Sequence, residues 1–319
     1  MHACRNLLPG GRWHFQHGPM DLIIQAEGDA HALAAAHEGA WRRFACLLQE
    51  LVDELPALRT PVSARGAACP LRGPVAQRMW RACRPFSAGF ITPMAAVAGA
   101  VAQEILAAYA REGVVRAWVN NGGDIALHLG PGASVSVGVV CDIASFDAAQ
   151  PHTGGEHLDG RLRVDSILPV RGIATSGWRG RSQTLGIADS VTVLARTAAE
   201  ADAAATVVAN AVNVDDERIS RRPAWEVRDD SDLGDLAVTV DVPPLPQEQV
   251  RRALTRGLQK AQELQAQGLL WGALLACQGQ YAATPSVQAA AGAALPPGSP
   301  ANEAVACTAL GAKVGSVFA

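Results

Sequence analysis

Apolar runs of strand length alternate along the chain with longer stretches of helical period. Residues 20–26 (MDLIIQA) form an apolar run suited to a strand, and from about Asp29 to Glu54 the positions Leu33, Phe44, Leu48 and Leu51 recur at helical spacing until Pro56. Residues 57–85, with Pro61, Pro70, Pro74 and Pro85 among glycines and arginines, predict irregular connecting chain. Thr92 before Pro93 supplies an N-cap and a first-turn proline for a second helix that stops at Gly113. Its residues are small almost all round (Ala95, Ala96, Ala98, Gly99, Ala100, Ala102), which predicts a buried central helix lying close against its neighbours. Three strands follow over residues 114–119, 124–129 and 134–140, joined by glycine-containing turns into an antiparallel meander. Residues 142–160 read as an exposed polar loop, residues 162–175 as extended chain, and residues 184–195 as a strand. Thr197 with Glu200 makes a capping box, so a helix starts near Ala198 and runs to about Val212. A strand over 236–242, a charged amphipathic helix over 247–267 and a last strand over 269–278 complete the pattern.

Consecutive strands that meet at tight turns predict an α+β fold with a largely antiparallel sheet. A doubly wound nucleotide fold is disfavoured, because no G-x-G-x-x-G lies between a strand and a helix and no Walker A sequence is present. The organisation expected is an irregular N-terminal segment over 1–19, one domain over 20–282, and a disordered tail over 283–319 built of Ala, Gly, Pro and Ser.

Composition narrows the class without naming a chemistry. A chain of 319 residues can bury a full core, and 49% hydrophobic with 18% charged residues suits a soluble globular protein. The formal net charge of −3 gives no global attraction to nucleic acid or to an anionic membrane. The sequence has no secretory h-region and no apolar window of the ~20 residues a span needs, so a cytoplasmic protein is expected. The seven cysteines are scattered without a C-x-x-C pair, which points to free and mostly buried thiols.

Three segments carry groups suited to phosphates and hard cations. Residues 172–177 (GIATSG) form a small-residue turn that a ligand can approach closely, and the two arginines Arg179 and Arg181 follow it with Trp178, a ring able to stack. Residues 120–124 (NNGGD) form a turn with exposed N–H groups, which alone is also an ordinary hairpin turn. Asp202 and Thr206 stand four apart on the capped helix, only about 40° apart around its axis, so both oxygens can reach one ion. The same spacing also suits a solvated Asp and a Thr bonded back to its own helix. His152 and His157 fit no standard zinc spacing, Cys141 reads as a buried thiol, and Ser176 lacks the G-x-S-x-G surroundings of a nucleophile.

In their order and spacing, GIATSG (172–177), DAAAT (202–206) and VNNGGDI (119–125) resemble the ApbE superfamily of FAD:protein FMN transferases. DLII (21–24), TPMAAVAG (92–99), SGWRGR (176–181) with GIADS (186–190), and GLLWGA (268–273) with Gln278–Gly279 look closest to a cytoplasmic branch of it. The resemblance covers about Met20 to Gly279 and implies an ApbE-like, T-fold-like arrangement of largely antiparallel sheets packed with helices. It implies FAD as the bound nucleotide and Mg²⁺ held by Asp202 and Thr206. It places Thr175, Ser176 and Gly177 along the flavin site, with Asn121, Gly122 and Gly123 in a loop beside it. Family members transfer FMN to a Thr or Ser of an acceptor protein and release AMP. Two family segments are altered. The A-K-G at the start of the central helix, with an Asp four residues on, corresponds to Ala98-Gly99 and Gln103. The H-x-x-D-P-x-T-G segment shrinks to residues 185–190, keeping Asp189 and no His. Arg179, Arg181 and Asp189 are left as the candidates for catalytic groups. A flavin transferase, a non-catalytic flavin-binding accessory protein, and an enzyme acting on a different small metabolite are all compatible with these residues, as is a homo-oligomer.

Overall fold

The computed structural model describes residues 2–63, 68–139, 160–291 and 313–314. Strands β1 (Cys4–Leu8), β2 (Arg12–His17) and β3 (Met20–Gly28) form an antiparallel meander. Helix α1 (Ala30–Asp53) follows at once, because the Asp29 carboxylate accepts the N–H groups of His31 and Ala32, both at 3.0 Å. After a short turn α2 (Leu55–Leu58) come α3 (Pro74–Cys83) and α4 (Val97–Leu106), the latter entered through a 3₁₀ turn at Pro93–Ala96 capped by Thr92. Strands β4 (Val114–Asn121) and β5 (Asp124–Leu129) lead to the hairpin strands β6 (Ser134–Val139) and β7 (Gly160–Asp165), then to β8 (Gly172–Ser176) and β9 (Ser190–Ala195). The chain continues through α5 (Ala198–Ala211), β10 (Ser220–Pro223), α6 (Ala224–Val227) and β11 (Ala237–Asp241). It closes with α7 (Gln247–Ala266), β12 (Gly272–Cys277), β13 (Gln280–Ala283) and α8 (Pro285–Ala291).

The organising element is a sheet of order β1-β2-β3-β4-β5-β8-β9-β12-β13 in which every neighbouring pair is antiparallel. This bears out the α+β class. Side chains alternate between its two faces. On one face Phe15, Leu22, Val119 and Ala126 pack under α1 and α4, and Ala174, Val191 and Val193 pack under α5 and α7. On the other, Trp118, Ile125, Leu127, Ile173 and Leu274 meet the β6–β7 hairpin and α8.

Several boundaries differ from those the sequence predicts. Residues 1–19 are not irregular: β1 and β2 occupy most of them, with Phe15 buried completely. Their alternation, Trp13 and Phe15 against Arg12, His14 and Gln16, is easily overlooked because it is so short. Within 57–85, α3 is a regular helix. Pro74 lies in its first turn, where a missing N–H costs nothing, and Val75, Met79, Trp80 and Cys83 form its buried side. The tail expected from 283 onward starts with α8, whose Val287 is fully buried. Residues 184–189 are not strand, because Asn210 of α5 accepts from both the Thr184 hydroxyl (2.7 Å) and the Leu185 N–H (2.9 Å) and draws the chain aside. Among the described cysteines Cys83 and Cys277 are buried thiols, whereas Cys4 and Cys46 are exposed on an edge strand and on the outer side of α1. The loop expected over 142–160, with His152, His157 and Cys141, lies outside the described residues but for its last position. No helix among the described residues is long and apolar enough to cross a membrane.

Two glycines set how closely helix α5 can be approached. A Cβ on Gly172 would lie 2.1 Å from the Thr197 carbonyl carbon, and one on Gly99 would lie 2.3 Å from the Ala198 oxygen. Gly172→Ala is therefore expected to destabilise the protein by about 1–3 kcal/mol through overpacking. Gly39→Ala, whose methyl would meet the Ala108 Cβ at an ordinary 3.8 Å inside α1, is expected to gain about 0.5–1 kcal/mol. Urea unfolding midpoints of the two variants check this, and equal midpoints would contradict the close-approach argument.

Candidate functional site

Thr197 caps α5 as its sequence requires: its Oγ1 accepts the Glu200 N–H at 3.2 Å. One turn in, Asp202 projects toward the first turn of α4, where its Oδ2 accepts the Gly99 N–H at 2.9 Å. A carboxylate capping α4 is placed where the helix dipole favours negative charge. Burial nevertheless wins, and the Asp202 pKa is pushed up to about 7, with the N–H groups of Gly99 and Ala98 opposing the shift. Thr206 follows four residues later in the same helix.

A second carboxylate meets this one. Asp124 opens β5, and its Oδ1 accepts the Thr175 N–H at 3.1 Å across to β8. Asp124 is buried, and its pKa is held well above the usual carboxylate range, first by desolvation and then by the negative charge of Asp202. Sequence reasoning singled out the NNGGD turn and missed Asp124 as a member of the site. The available signal was parity: Ala126 packs on the helix-covered face, so Asp124, two residues earlier, is on that face too.

The same parity sorts the other predicted residues. Ile173 and Ala174 face opposite sides of the sheet, so Ser176 shares the side of Ala174 and α5, while Thr175 is turned away. Thr175 accordingly gives its backbone N–H to Asp124, and its hydroxyl lies 3.1 Å from that of Thr192. The Ser176 side chain is only 6% exposed, and its Oγ has no hydrogen-bond partner among the described residues. Such an orphaned buried hydroxyl is costly unless something else satisfies it. Asn121 donates from Nδ2 to the Ala98 carbonyl at 3.2 Å, tying the NNGGD turn to the start of α4. Gly122 and Gly123 have φ of +64° and +110°, and Asn120 Oδ1 accepts the Gly123 N–H at 2.8 Å. Gly177 closes β8 beside Asp189, whose carbonyl oxygen would lie 2.3 Å from a Cβ there.

The three catalytic candidates separate. Asp189 accepts from the Trp178 indole at 3.3 Å and from the Gln278 backbone N–H, and lies 3.7 Å from Arg179 Nε. Arg179 in turn stacks 4.9 Å from the Trp178 ring centre. Asp189 and Arg179 thus hold the base of the loop and the β12–β13 turn, where Gln278 has a φ of +45°, rather than reaching toward the carboxylate pair. Arg181 does reach the site. Its Nη1 would lie 3.4 Å from a Cβ on Gly122, and its Nη2 donates to the Pro19 carbonyl at 3.3 Å.

No group of three or more His, Cys, Asp or Glu forms a metal cluster among the described residues. The two carboxylates and the Ser176 hydroxyl are oxygen donors of the kind a hard divalent cation takes. The buried Cys83 thiol also feels the charge of Asp202, and burial holds its pKa well above the ordinary thiol range.

The family model described as AbpE bacteria matches residues 5–283. The match starts inside β1 and ends with β13, so it includes the N-terminal strands. A UPF0280 protein of Methanopyrus kandleri is 40% identical over 226 residues, covering 69% of this chain and 83% of its own. A UPF0280 protein of Methanothrix thermoacetophila is 35% identical over 194 residues, covering 58% and 74%. Among solved structures, the ApbE protein of Thermotoga maritima aligns at a TM-score of 0.43 and 12% identity, over 91% of this chain and 99% of that one.

The raised Asp202 pKa has a definite sign in stability. The native state keeps a proton that the unfolded chain releases near pH 4, so this residue's contribution weakens as pH rises toward about 7 and then levels off. With divalent ions chelated, Asp202→Asn is expected to flatten the fall in the urea midpoint between pH 4 and 7 and to be the more stable protein at pH 8. Parallel pH profiles for the two proteins would refute it.

Proposed function

We propose, from the premise that this chain belongs to the AbpE bacteria family within the ApbE superfamily, that it binds a flavin nucleotide with Mg²⁺ and acts at the nucleotide's diphosphate. The observation that carries this reading is the pairing of buried Asp124 with half-buried Asp202, on the sheet face that also carries the unpartnered Ser176 hydroxyl. Two carboxylates whose proton affinities are raised by burial, that of Asp124 further by the charge of Asp202, form an unfavourable arrangement in a folded protein unless a cation joins them. A divalent cation there would neutralise charge building on the phosphate oxygens. Asp202 and Thr206 would hold it from α5 and Asp124 from β5. Ser176, the Gly122–Gly123 turn and the backbone of Thr175–Gly177 would line the nucleotide.

The reaction supported is phosphoryl transfer. The hydroxyl oxygen of a protein Ser or Thr would bond to the FMN phosphorus of FAD, its proton passing to solvent or to the departing oxygen, while the bond from that phosphorus to the bridging oxygen breaks and AMP leaves with that oxygen. The chain's own residues act mainly by position and charge, as this chemistry requires. The Gly99 and Ala98 N–H groups hold Asp202, and the Thr175 N–H holds one oxygen of Asp124, so both carboxylates would meet the ion in fixed orientations.

One observation favours a second reading, binding without transfer. Ala98 and Gly99 bring no cationic side chain to the start of α4, and a Cβ on Gly99 would strike the Ala198 oxygen. Asp189, the polar group kept from the shortened segment, is engaged with Trp178, Arg179 and Gln278. A flavin carrier or accessory protein would need the pocket and not the proton-handling groups.

Incubation with FAD and Mg²⁺, with and without cell extract as a source of acceptor, separates the two. Release of AMP, lost by at least about a hundredfold in Asp202→Asn, supports transfer. Tight FAD binding without AMP supports the carrier. Neither binding nor AMP release under any divalent metal would sink both.

A further inference from the structure

The charges at the site do not close with the carboxylates and one cation. Asp124 and Asp202 together carry two negative charges when ionised, which one divalent ion just neutralises. A diphosphate then brings two more negative charges into a partly desolvated space. The N-terminus of α4 offers little in compensation, because Asp202 already takes the Gly99 N–H there. Nearby guanidinium groups are committed elsewhere: Arg78 pairs with Glu104 at 2.8 Å, and Arg179 with Asp189 and Trp178.

Arg181 stands apart from these. Its guanidinium lies over the Gly122 backbone, and its bond to the Pro19 carbonyl is a 3.3 Å contact with a neutral acceptor. It forms no ion pair with any carboxylate among the described residues. The chain that carries it is held from both sides. At its base, Trp178 and Arg179 are fastened to Asp189. Beyond it, Arg228 at the end of α6 donates from Nη2 to the Arg181 carbonyl at 3.1 Å, and Gln183 of the loop donates to the Ala224 carbonyl at the start of α6 at 3.0 Å. An exposed cation on a braced loop, lying over a turn with glycine-opened backbone, is preorganised for an anion.

We propose that Arg181 is the anion-positioning residue of this site. Its planar guanidinium takes phosphate oxygens of the nucleotide's diphosphate on the side away from the cation, and Arg228 sets its position through the backbone. Two phosphate oxygens on one guanidinium make the bidentate contact that an ammonium cannot reproduce. The inference rests on the diphosphate reading above and adds which residue recognises that group.

Fluorescence titrations with FAD, and with riboflavin as a phosphate-free comparator, test it in the presence of Mg²⁺. Arg181→Ala is expected to weaken FAD binding by about 10- to 100-fold, the range of a charge-assisted hydrogen bond, and to leave riboflavin binding unchanged. Arg181→Lys recovers only part of the loss. Arg228→Ala, which leaves the Arg181 side chain intact, weakens FAD several-fold and again spares riboflavin. Circular dichroism melts of all three identify any variant that fails to fold, and the inference then stands or falls on the others. Unchanged FAD affinity in folded Arg181 variants, or equal losses for FAD and riboflavin, overturns the role of Arg181 while the functional reading survives. Failure of the wild-type protein to bind FAD at all overturns both.

Discussion

The site depends on the contact between the first turns of two helices. Gly99 of α4 lies against the Ala198 carbonyl of α5, closely enough that no Cβ fits, and at that separation the Gly99 N–H reaches the Asp202 carboxylate at 2.9 Å. The contact is possible because α5 is almost entirely alanine along its buried sides, so its backbone can sit near both α4 and the sheet. Gly172 repeats the device from below, bringing β8 against Thr197. With α5 pinned between α4 and β8, Asp202 has little freedom. It accepts N–H groups from the first turn of α4, within electrostatic reach of Asp124 at the start of β5.

That geometry explains which parts of the site were legible in the sequence. The capping box at Thr197 and Glu200 and the four-residue spacing of Asp202 and Thr206 are local facts, and local facts survive folding. Asp124 is a non-local fact. It joins the site only because β5 pairs with β8 in one register, and a slip of one residue would turn it to the opposite face. Thr175 shows the same rule from the other side. It stands in the right segment, yet strand alternation sends its hydroxyl to Thr192 and leaves the backbone to serve the site. The strands β1 and β2 and the helix α3 were hidden for a different reason. The periodicity is there, with Trp13 and Phe15 alternating with polar residues and Val75, Met79 and Trp80 marking one side of α3, but short length, low overall hydrophobicity and nearby prolines mask it.

The loop after β8 shows how charge of one kind can take two roles. Arg179 and Arg181 are two residues apart and indistinguishable by composition. Arg179 finds an aromatic face and a carboxylate within its own loop and becomes part of the scaffold. Arg181 extends over a glycine turn of another strand pair. The difference follows from Asp189, which accepts from Trp178 and the Gln278 N–H and so fixes the side of the loop on which a cation is wanted. A residue that the sequence offers as a candidate catalytic group thereby acts as the anchor that orients its neighbours.

Two carboxylates held together away from water are a poor way to stabilise a fold. Burial raises the proton affinity of both, the charge of Asp202 further disfavours ionised Asp124, and an apolar pair of the same volume would be the more stable choice. The surrounding structure nevertheless spends backbone N–H groups from two different elements on keeping both in place. An orphaned hydroxyl at Ser176 adds a further unfavourable group on the same side of the sheet. Three costs gathered at one point, on an otherwise apolar face, are what a binding site for a cation and an oxygen-rich ligand looks like before the ligand arrives. The same ligand would satisfy all three, and the glycines and alanines that make the helices meet are the means by which the fold tolerates them until then.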